Sequence, residues 1–277
     1  MEKTILIFLL LILFISIYTI NSIEREEILT LDQIYDKNSK LSTVEYVHGV
    51  PKVVYIVWFG RKISQNRLQA LNSLIKNIKV PYILITEDNY KNFEVEDHPI
   101  HPAFKYLSGN HQSDYLRAYL LHHYGGSYHD IKYRDRGWSC EWEDFKDENI
   151  WMKSSAEIQP DHVGYDLDHP ETKSIQKEYR SLGSMCWIIS RKRTKYTQEL
   201  LEKIDQKLDL HHSKLKHHPS VKPAGYYADR PMEKLHKRDK YPLRWLELMG
   251  EHYHLLMYKY KDHMLLNLPR PNLKNYR

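Results

Sequence analysis

Residues 110–132 read NHQSDYLRAYLLHHYGGSYHDIK, and their reading decides the fold. Ser113 is a plausible helix N-cap, and Asp114 sits in the first turn, where the helix dipole favours an acid. The helix is expected to run to about Tyr124 and to stop at Gly125, which can take the left-handed conformation past a helix end. Asp114 and Arg117 are three apart and so share a helical face. Gly125 and Gly126 let the chain turn sharply and let backbone or ligand come close. SYHDI then reads as a short strand ending at Asp130, and in open α/β sheets the ligand crevice lies outside the carboxyl ends of strands. Asp130 and Lys132 are thereby delivered to a ligand edge. Local spacing supports a plainer reading equally: a salt-bridged helix, a turn and a solvated strand end, because ion pairs also serve structure.

The preceding segments fit an α/β sheet. PKVVYIVWFG, 51–60, has proline at its start, a β-branched run and glycine at its end, the pattern of a buried strand. Leu68, Leu71, Leu74, Ile75 and Ile78 then recur at helical spacing over 64–78, and YILIT, 82–86, reads as a second buried strand. Strand, helix and strand in this order form a parallel unit, and continuous apolar strands belong to a sheet covered on both faces. Neither G-x-G-x-x-G nor G-x-x-x-x-G-K-[ST] occurs, which disfavours a dinucleotide fold and a P-loop.

At 277 residues the chain can hold one large α/β domain or two small ones. TILIFLLLILFISIYTI, 4–20, is uncharged and just long enough to cross a bilayer as a helix. Lys3 precedes it and Glu24, Glu26 and Glu27 follow, so the N-terminus is expected to stay inside and the body to lie in a lumen or outside the cell. A cleaved signal peptide is the plainer alternative, but YTINS offers no clear small-x-small cleavage site. The expected organisation is a signal-anchor helix over 1–20, a stem over 21–48 and one domain over 49–277, in a single-pass type II membrane protein. Net charge is +5 with 17 histidines, which suits an anionic ligand, but acids and bases are well mixed and form no basic stripe of the kind nucleic acid needs. Mean hydropathy is −0.65 even with the anchor included. Two cysteines, Cys140 and Cys186, allow one disulfide and no disulfide framework. No N-x-S/T sequon occurs.

S-D-x-L-R on the helix, the Y-G-G turn and the strand ending in aspartate resemble the sugar-nucleotide site of GT-A glycosyltransferases. The likeness is strongest to the "DXD" sugar-binding family, which includes yeast initiating mannosyltransferases, capsular-polysaccharide synthesis enzymes and clostridial toxin catalytic domains. VPKVVYIVWFG resembles that family's I-P-K-x-I-H-x-x-W opening, so the likeness covers about residues 49–135. SMCWIIS, 184–190, and YPLRWLELMGEHYH, 241–254, resemble a capsular-type subset that carries D-I-K in place of D-x-D. The implied fold is α/β: a GT-A-like nucleotide-binding fold with a mixed, mostly parallel central sheet and added helices.

The resemblance implies that Trp58 lies against the nucleotide. Asp114 would bind sugar or ribose hydroxyls, and Arg117 would hold the donor sugar or diphosphate. Gly125 and Gly126 belong to the same donor site. Asp130 is the first acid of the D-x-D position, which in the family binds the ribose and a Mn²⁺ or Mg²⁺ bridging the diphosphate. Lys132 stands where the second acid, the usual direct metal ligand, would be. Departure of a nucleoside diphosphate builds charge that a hard cation or protein cations must stabilise. Two routes stay open. A metal on Asp130 could take a second ligand from Glu251, His252 or His254, of which Glu251 and His254 share a helical face. Alternatively the Lys132 ammonium takes over part of the cation's task, making Asp130 and Lys132 the catalytic pair; a lysine head leaning into water is the plainer reading.

Other features read more plainly. The histidine pairs 211–212 and 217–218 lack ligand-spaced partners and are expected in an exposed polar loop. DHVGYDLDHPE, 161–171, is an acidic loop in which Asp166 and Asp168 lack a calcium-loop continuation. Tyr196, Leu200, Leu201, Ile204 and Leu208 mark an amphipathic helix over 194–209. Arg244 and Glu251, with Trp245 and Glu247, are candidates for the acceptor cleft, although a packed helix explains Trp245 and Leu248 as well. The expected activity is transfer of a hexose-type residue from a nucleotide-sugar to a glycan or polysaccharide hydroxyl, for which the resemblance implies retention of anomeric configuration. A glycosidase is disfavoured because its two facing carboxylates find no place. The rival is a non-catalytic donor-binding partner, motivated by the D-x-K pattern.

Overall fold

The computed structural model describes residues 28–60, 62–164, 169–220 and 240–273. Its centre is a six-stranded sheet in the order β4-β3-β5-β7-β6-β8. β3 is Val54–Val57, β4 Tyr82–Ile85, β5 Gly126–His129, β6 Met152–Lys153, β7 Trp187–Ser190 and β8 Met264–Leu265. β3 pairs parallel with both β4 and β5, and β6 pairs parallel with β8; β7 runs antiparallel to its neighbours β5 and β6. The sheet is thus mixed and mostly parallel, the α/β architecture expected. A separate hairpin joins β1, Tyr46–Val47, to β2, Val50–Pro51.

Alternation along the strands feeds two apolar layers. Tyr55 and Val57 of β3, Tyr128 of β5 and Ile188 of β7 face one side. There they meet α3, Gly109–His123; α5, Lys195–His217; and α6, Gly250–Lys259. Val54, Ile56 and Ile189 face the other side, against α2, Gln65–Asn77, and the rings of Trp138, Trp142 and Phe145. A short α4, Thr172–Lys177, packs on α6.

α2 starts at Ser64, whose hydroxyl accepts from Arg67 N, close to the expected start. α3 begins five residues earlier than the spacing suggested. Its cap is Ser108, which accepts from His111 N at 3.3 Å, while Ser113 lies inside the helix. α5 extends to His217 because Leu215, one heptad after Leu208, is also buried. The two histidine pairs therefore begin on this helix and not in a loop, and His211 faces Glu247 at 3.4 Å.

Part of the stem expected over 21–48 packs on the β4 edge of the sheet. α1, Leu31–Asp36, buries Ile34, whose carbonyl accepts from the Tyr82 hydroxyl at 3.0 Å. Asn38 bonds both backbone groups of Leu84. The anchor predicted over 1–20 lies outside the described residues, and among those described no helix is long and apolar enough to cross a membrane. Both cysteines are free thiols.

Gly125 and Gly126 have φ of +71° and +93°. Gly125 ends α3 in the left-handed conformation, as expected, and its N–H reaches the Leu120 carbonyl at 3.1 Å. A Cβ on Gly126 would lie 3.1 Å from Val53 Cγ1 and 3.2 Å from the Pro51 carbonyl oxygen. Gly126→Ala combines that contact with an unfavourable φ, so a loss of about 1–3 kcal/mol is expected in a urea melt. An unchanged melt would mean that the backbone relaxes there at no cost.

Candidate functional site

Register places the site. Val54 pairs with Ser127 and Tyr55 with Tyr128, so the residues just after Val57 and His129 emerge on one edge of the sheet. Those residues are Trp58 and Asp130. Because α3 returns the chain to the start of β5, Gly125 and Gly126 sit at the opposite, amino end. At about 3.3 Å per residue they are about 13 Å from Asp130. Their expected place in the donor site is therefore corrected: they let α3 and β5 pack on the strands beside them.

Asp130 N donates to the Cys186 carbonyl at 2.8 Å, continuing the β5–β7 ladder. Tyr128, two residues earlier and on the same strand face, donates its hydroxyl to Asp130 Oδ1 at 2.8 Å. Arg117 Nη2 is 3.6 Å from that oxygen, and Lys132 Nζ is 3.6 Å from Oδ2. The Asp130 side chain keeps a quarter of its surface exposed, while Lys132 is buried. Burial by itself would raise the Asp130 carboxyl; Lys132, Arg117 and the Tyr128 hydroxyl outweigh it and bring it down to about 2.

Arg117 is the hub. Its Nη1 donates to the Met185 carbonyl at 2.6 Å, and its Nη2 donates to Asp114 Oδ1 at 3.1 Å and to the Tyr128 hydroxyl at 3.3 Å. The guanidinium lies 4.2 Å from the centre of the Tyr128 ring. Asp114 also receives Asn110 Nδ2 at 3.4 Å. Burial raises the Asp114 carboxyl to about 6 against the pull of Arg117, with Asp130 adding to the rise. Ser113 Oγ meets the Tyr128 hydroxyl at 2.8 Å. The helix pair and the strand-end acid read separately from sequence thus form one network, with Arg117 between two carboxylates. Trp58 is half-buried on the neighbouring strand end, and its indole N–H is enclosed without a hydrogen-bond partner among the described residues.

The contacts of Tyr128, Ser113 and Cys186 with the site were not foreseen from sequence. Tyr128 was within reach, because residues two apart on a strand share a face. Cys186 was not, since it reaches Asp130 through a strand that follows more than fifty residues later. Its thiol is pushed up to about 12 by burial and then by Asp130.

The C-terminal candidates are placed differently. His254 is fully buried; its Nδ1 accepts from Gly164 N at 2.8 Å and its Nε2 donates to the Gly183 carbonyl at 3.1 Å. Neither nitrogen retains a lone pair for a metal, so the expectation of a His254 ligand is corrected. Glu251 is buried between Arg244 Nη2 at 2.7 Å and Lys207 Nζ at 3.4 Å, which ties α6 to α5 and takes its carboxylate out of the acceptor role expected for it. Arg244 remains largely exposed, beside Trp245, which is 40% exposed. This segment docks on the start of α3: His111 Nε2 meets the Trp245 carbonyl at 3.2 Å, and the Tyr241 hydroxyl meets His111 Nδ1 at 2.9 Å. Asp166 and Asp168 lie outside the described residues.

The described residues do not fit a divalent ion held by the protein. A Mg²⁺ or Mn²⁺ site draws on carboxylate and phosphate oxygens free of competing cations. Here each oxygen of Asp130 faces a fixed cation, and Asp114 is separated from it by the Arg117 guanidinium.

Part of the chain is similar to known proteins. Residues 46–133 match the family model described as a glycosyltransferase sugar-binding region containing a DXD motif. The match is a little under a third of the chain and takes in β3, α3, β5 and Asp130. Inositol phosphoceramide mannosyltransferase 2 of Schizosaccharomyces pombe is 24% identical over 157 residues, 54% of this chain and 45% of that protein. The likeness thus spans less than half the length of that relative. A solved structure titled PaToxG Glycosyltransferase aligns at 14% identity and TM-score 0.38, covering 76% of this chain and 68% of that one, too distant to carry an argument. The family match and the curated relative support the sugar-transferring class of protein.

Proposed function

We propose that this chain is a glycosyltransferase that moves a hexose-type sugar from a nucleotide-sugar to a hydroxyl of a glycan or polysaccharide, with retention of configuration. The observation that carries the reading is the convergence of Asp114, Arg117, Tyr128 and Asp130 at the carboxyl end of β5, beside Trp58. In the reaction the bond between sugar C1 and the phosphate oxygen breaks, and its electron pair stays with the departing nucleoside diphosphate. The acceptor oxygen forms the new bond to C1, and its proton passes to the departing phosphate. Trp58 would stack on the base, Asp114 would accept from sugar or ribose hydroxyls, and the exposed Arg244 would border the acceptor. The N-terminal apolar run would anchor the protein as a type II membrane protein with this domain in a lumen or outside the cell.

The test is release of nucleoside diphosphate from a panel of nucleotide-sugars by the full chain. Turnover with one donor supports the reading. Binding of a nucleotide without turnover of any donor would instead favour the non-catalytic partner, a reading kept in view by Lys132 at the acid position.

Asp114 sets a pH dependence. Its carboxyl is raised to about 6, so it is protonated below that value and loses the charge with which it would hold hydroxyls. Transfer is expected to fall tenfold per unit on the acid side of about pH 6, a limb absent from the residual activity of Asp114→Asn. A wild-type profile flat down to pH 5 would remove Asp114 from the site. Folding stability from this group runs with the sign of a raised acid: it is lost as pH rises from the ordinary carboxylate range through about 6.

A further inference from the structure

The acid position at the end of β5 is built around protein cations. Asp130 Oδ1 and Oδ2 each face a cation at 3.6 Å, Arg117 and Lys132 respectively. Those separations exceed the 2.7–2.9 Å of a charge-assisted hydrogen bond. Asp130 therefore orients the two cations electrostatically without closing a tight hydrogen bond on either. Arg117 is fixed from behind by the Met185 carbonyl and by Asp114, and its Nε is buried with no hydrogen-bond partner among the described residues. A divalent ion on Asp130 would have to enter between two fixed positive charges. One bridging to Asp114 would need the space the guanidinium fills.

We propose that the donor's diphosphate is held by Arg117 and Lys132 in place of a divalent ion, and that Asp130 serves to keep these two cations at the strand end. The proposal rests on the donor-site reading above. As the sugar C1–oxygen bond breaks, the negative charge gained by the leaving diphosphate meets the Lys132 ammonium and the Arg117 guanidinium. A cation within reach of that oxygen stabilises the departing charge as a metal would. Lys132 thereby turns from a defect in a two-acid motif into the group that makes the second acid unnecessary.

Calorimetric titration of the full chain with UDP, GDP, ADP, CDP and dTDP separates the possibilities, each run once with EDTA and once with Mn²⁺. At least one diphosphate is expected to bind with a Kd in EDTA within threefold of its Kd in Mn²⁺. Binding that appears only with Mn²⁺, or tightens tenfold or more, overturns the metal-free site and leaves the donor reading standing. No binding of any diphosphate under either condition overturns both. Lys132→Met is expected to weaken binding in EDTA at least tenfold, and Lys132→Arg to restore it to within threefold. Lys132→Asp, which recreates two acids, is expected to bind tenfold tighter with Mn²⁺ than in EDTA. Wild-type affinity in a folded Lys132→Met would exclude contact with the diphosphate. Should that variant fail to fold, the wild-type comparison of EDTA with Mn²⁺ still decides the metal question.

Discussion

Asp130→Asn is expected to lower sugar transfer by about 10²–10³-fold, the range seen when one fixed electrostatic partner of a reacting group is lost. The substitution keeps the shape of the side chain and can still accept from Tyr128, but it removes the charge facing Arg117 and Lys132. Two cations then repel each other across the strand end, and their positions toward a ligand loosen. Asp130→Ala is expected to be as inactive and less stable by about 0.5–1.5 kcal/mol, because it also removes the hydrogen bond from the Tyr128 hydroxyl and leaves Ser113 Oγ as that hydroxyl's partner. Steady-state kinetics together with a thermal melt separate the two effects. A folded Asp130→Asn within threefold of wild-type kcat/KM would remove this carboxylate from the mechanism.

The largest effect on stability is expected far from the site. Lys153 on β6 is almost fully buried, and its ammonium contacts the Glu141 carboxylate and the Asp144 carboxylate, the latter at 2.6 Å. The three groups are unequal. Asp144 is 40% exposed and can turn to water, whereas the lysine head is enclosed. Glu141→Gln with Asp144→Asn leaves a buried cation without a counter-charge and is expected to cost about 3–5 kcal/mol. Lys153→Met leaves Asp144 open to water and Glu141 at the edge of it, 15% exposed, and is expected to cost less, about 1–2 kcal/mol, since its apolar chain suits the buried position. Urea denaturation of the three proteins checks the order, and equal losses would overturn the asymmetry. The hydrogen bond from Lys153 holds the Asp144 carboxyl below its ordinary value, so this stabilisation is present above the ordinary carboxylate range and lost as pH falls beneath it.

The elements that sequence placed well are those whose signal is local. Val54–Val57 and Tyr82–Ile85 are short apolar runs bounded by proline or glycine, and α2 starts at Ser64 as its spacing required. The start of α3 was missed because Gly109, Asn110 and His111 are poor helix formers. The fold overrides that weakness: Gly109 comes close to the Phe59 carbonyl, His111 stacks on Tyr241, and Gln112 donates to the Phe104 carbonyl. The packing of the described stem was not legible because Leu29, Leu31, Ile34 and Tyr35 show no long period, and they are buried or partly buried only against a layer that includes α2 and β4.

At the site, local chemistry fixed that Asp114 and Arg117 share a helical face and that Asp130 and Lys132 end a strand, because both statements rest on the 3.6- and 2-residue periods of the backbone. Those periods say nothing about what lies across a gap in space. Only the packed sheet decides that Arg117 stands between two carboxylates, that Cys186 of an antiparallel neighbour meets Asp130, and that the two glycines fall at the far end of β5. Strand direction and register set these pairings. Both follow from burying two apolar layers at once, a condition written across the whole chain and not in any one segment of it.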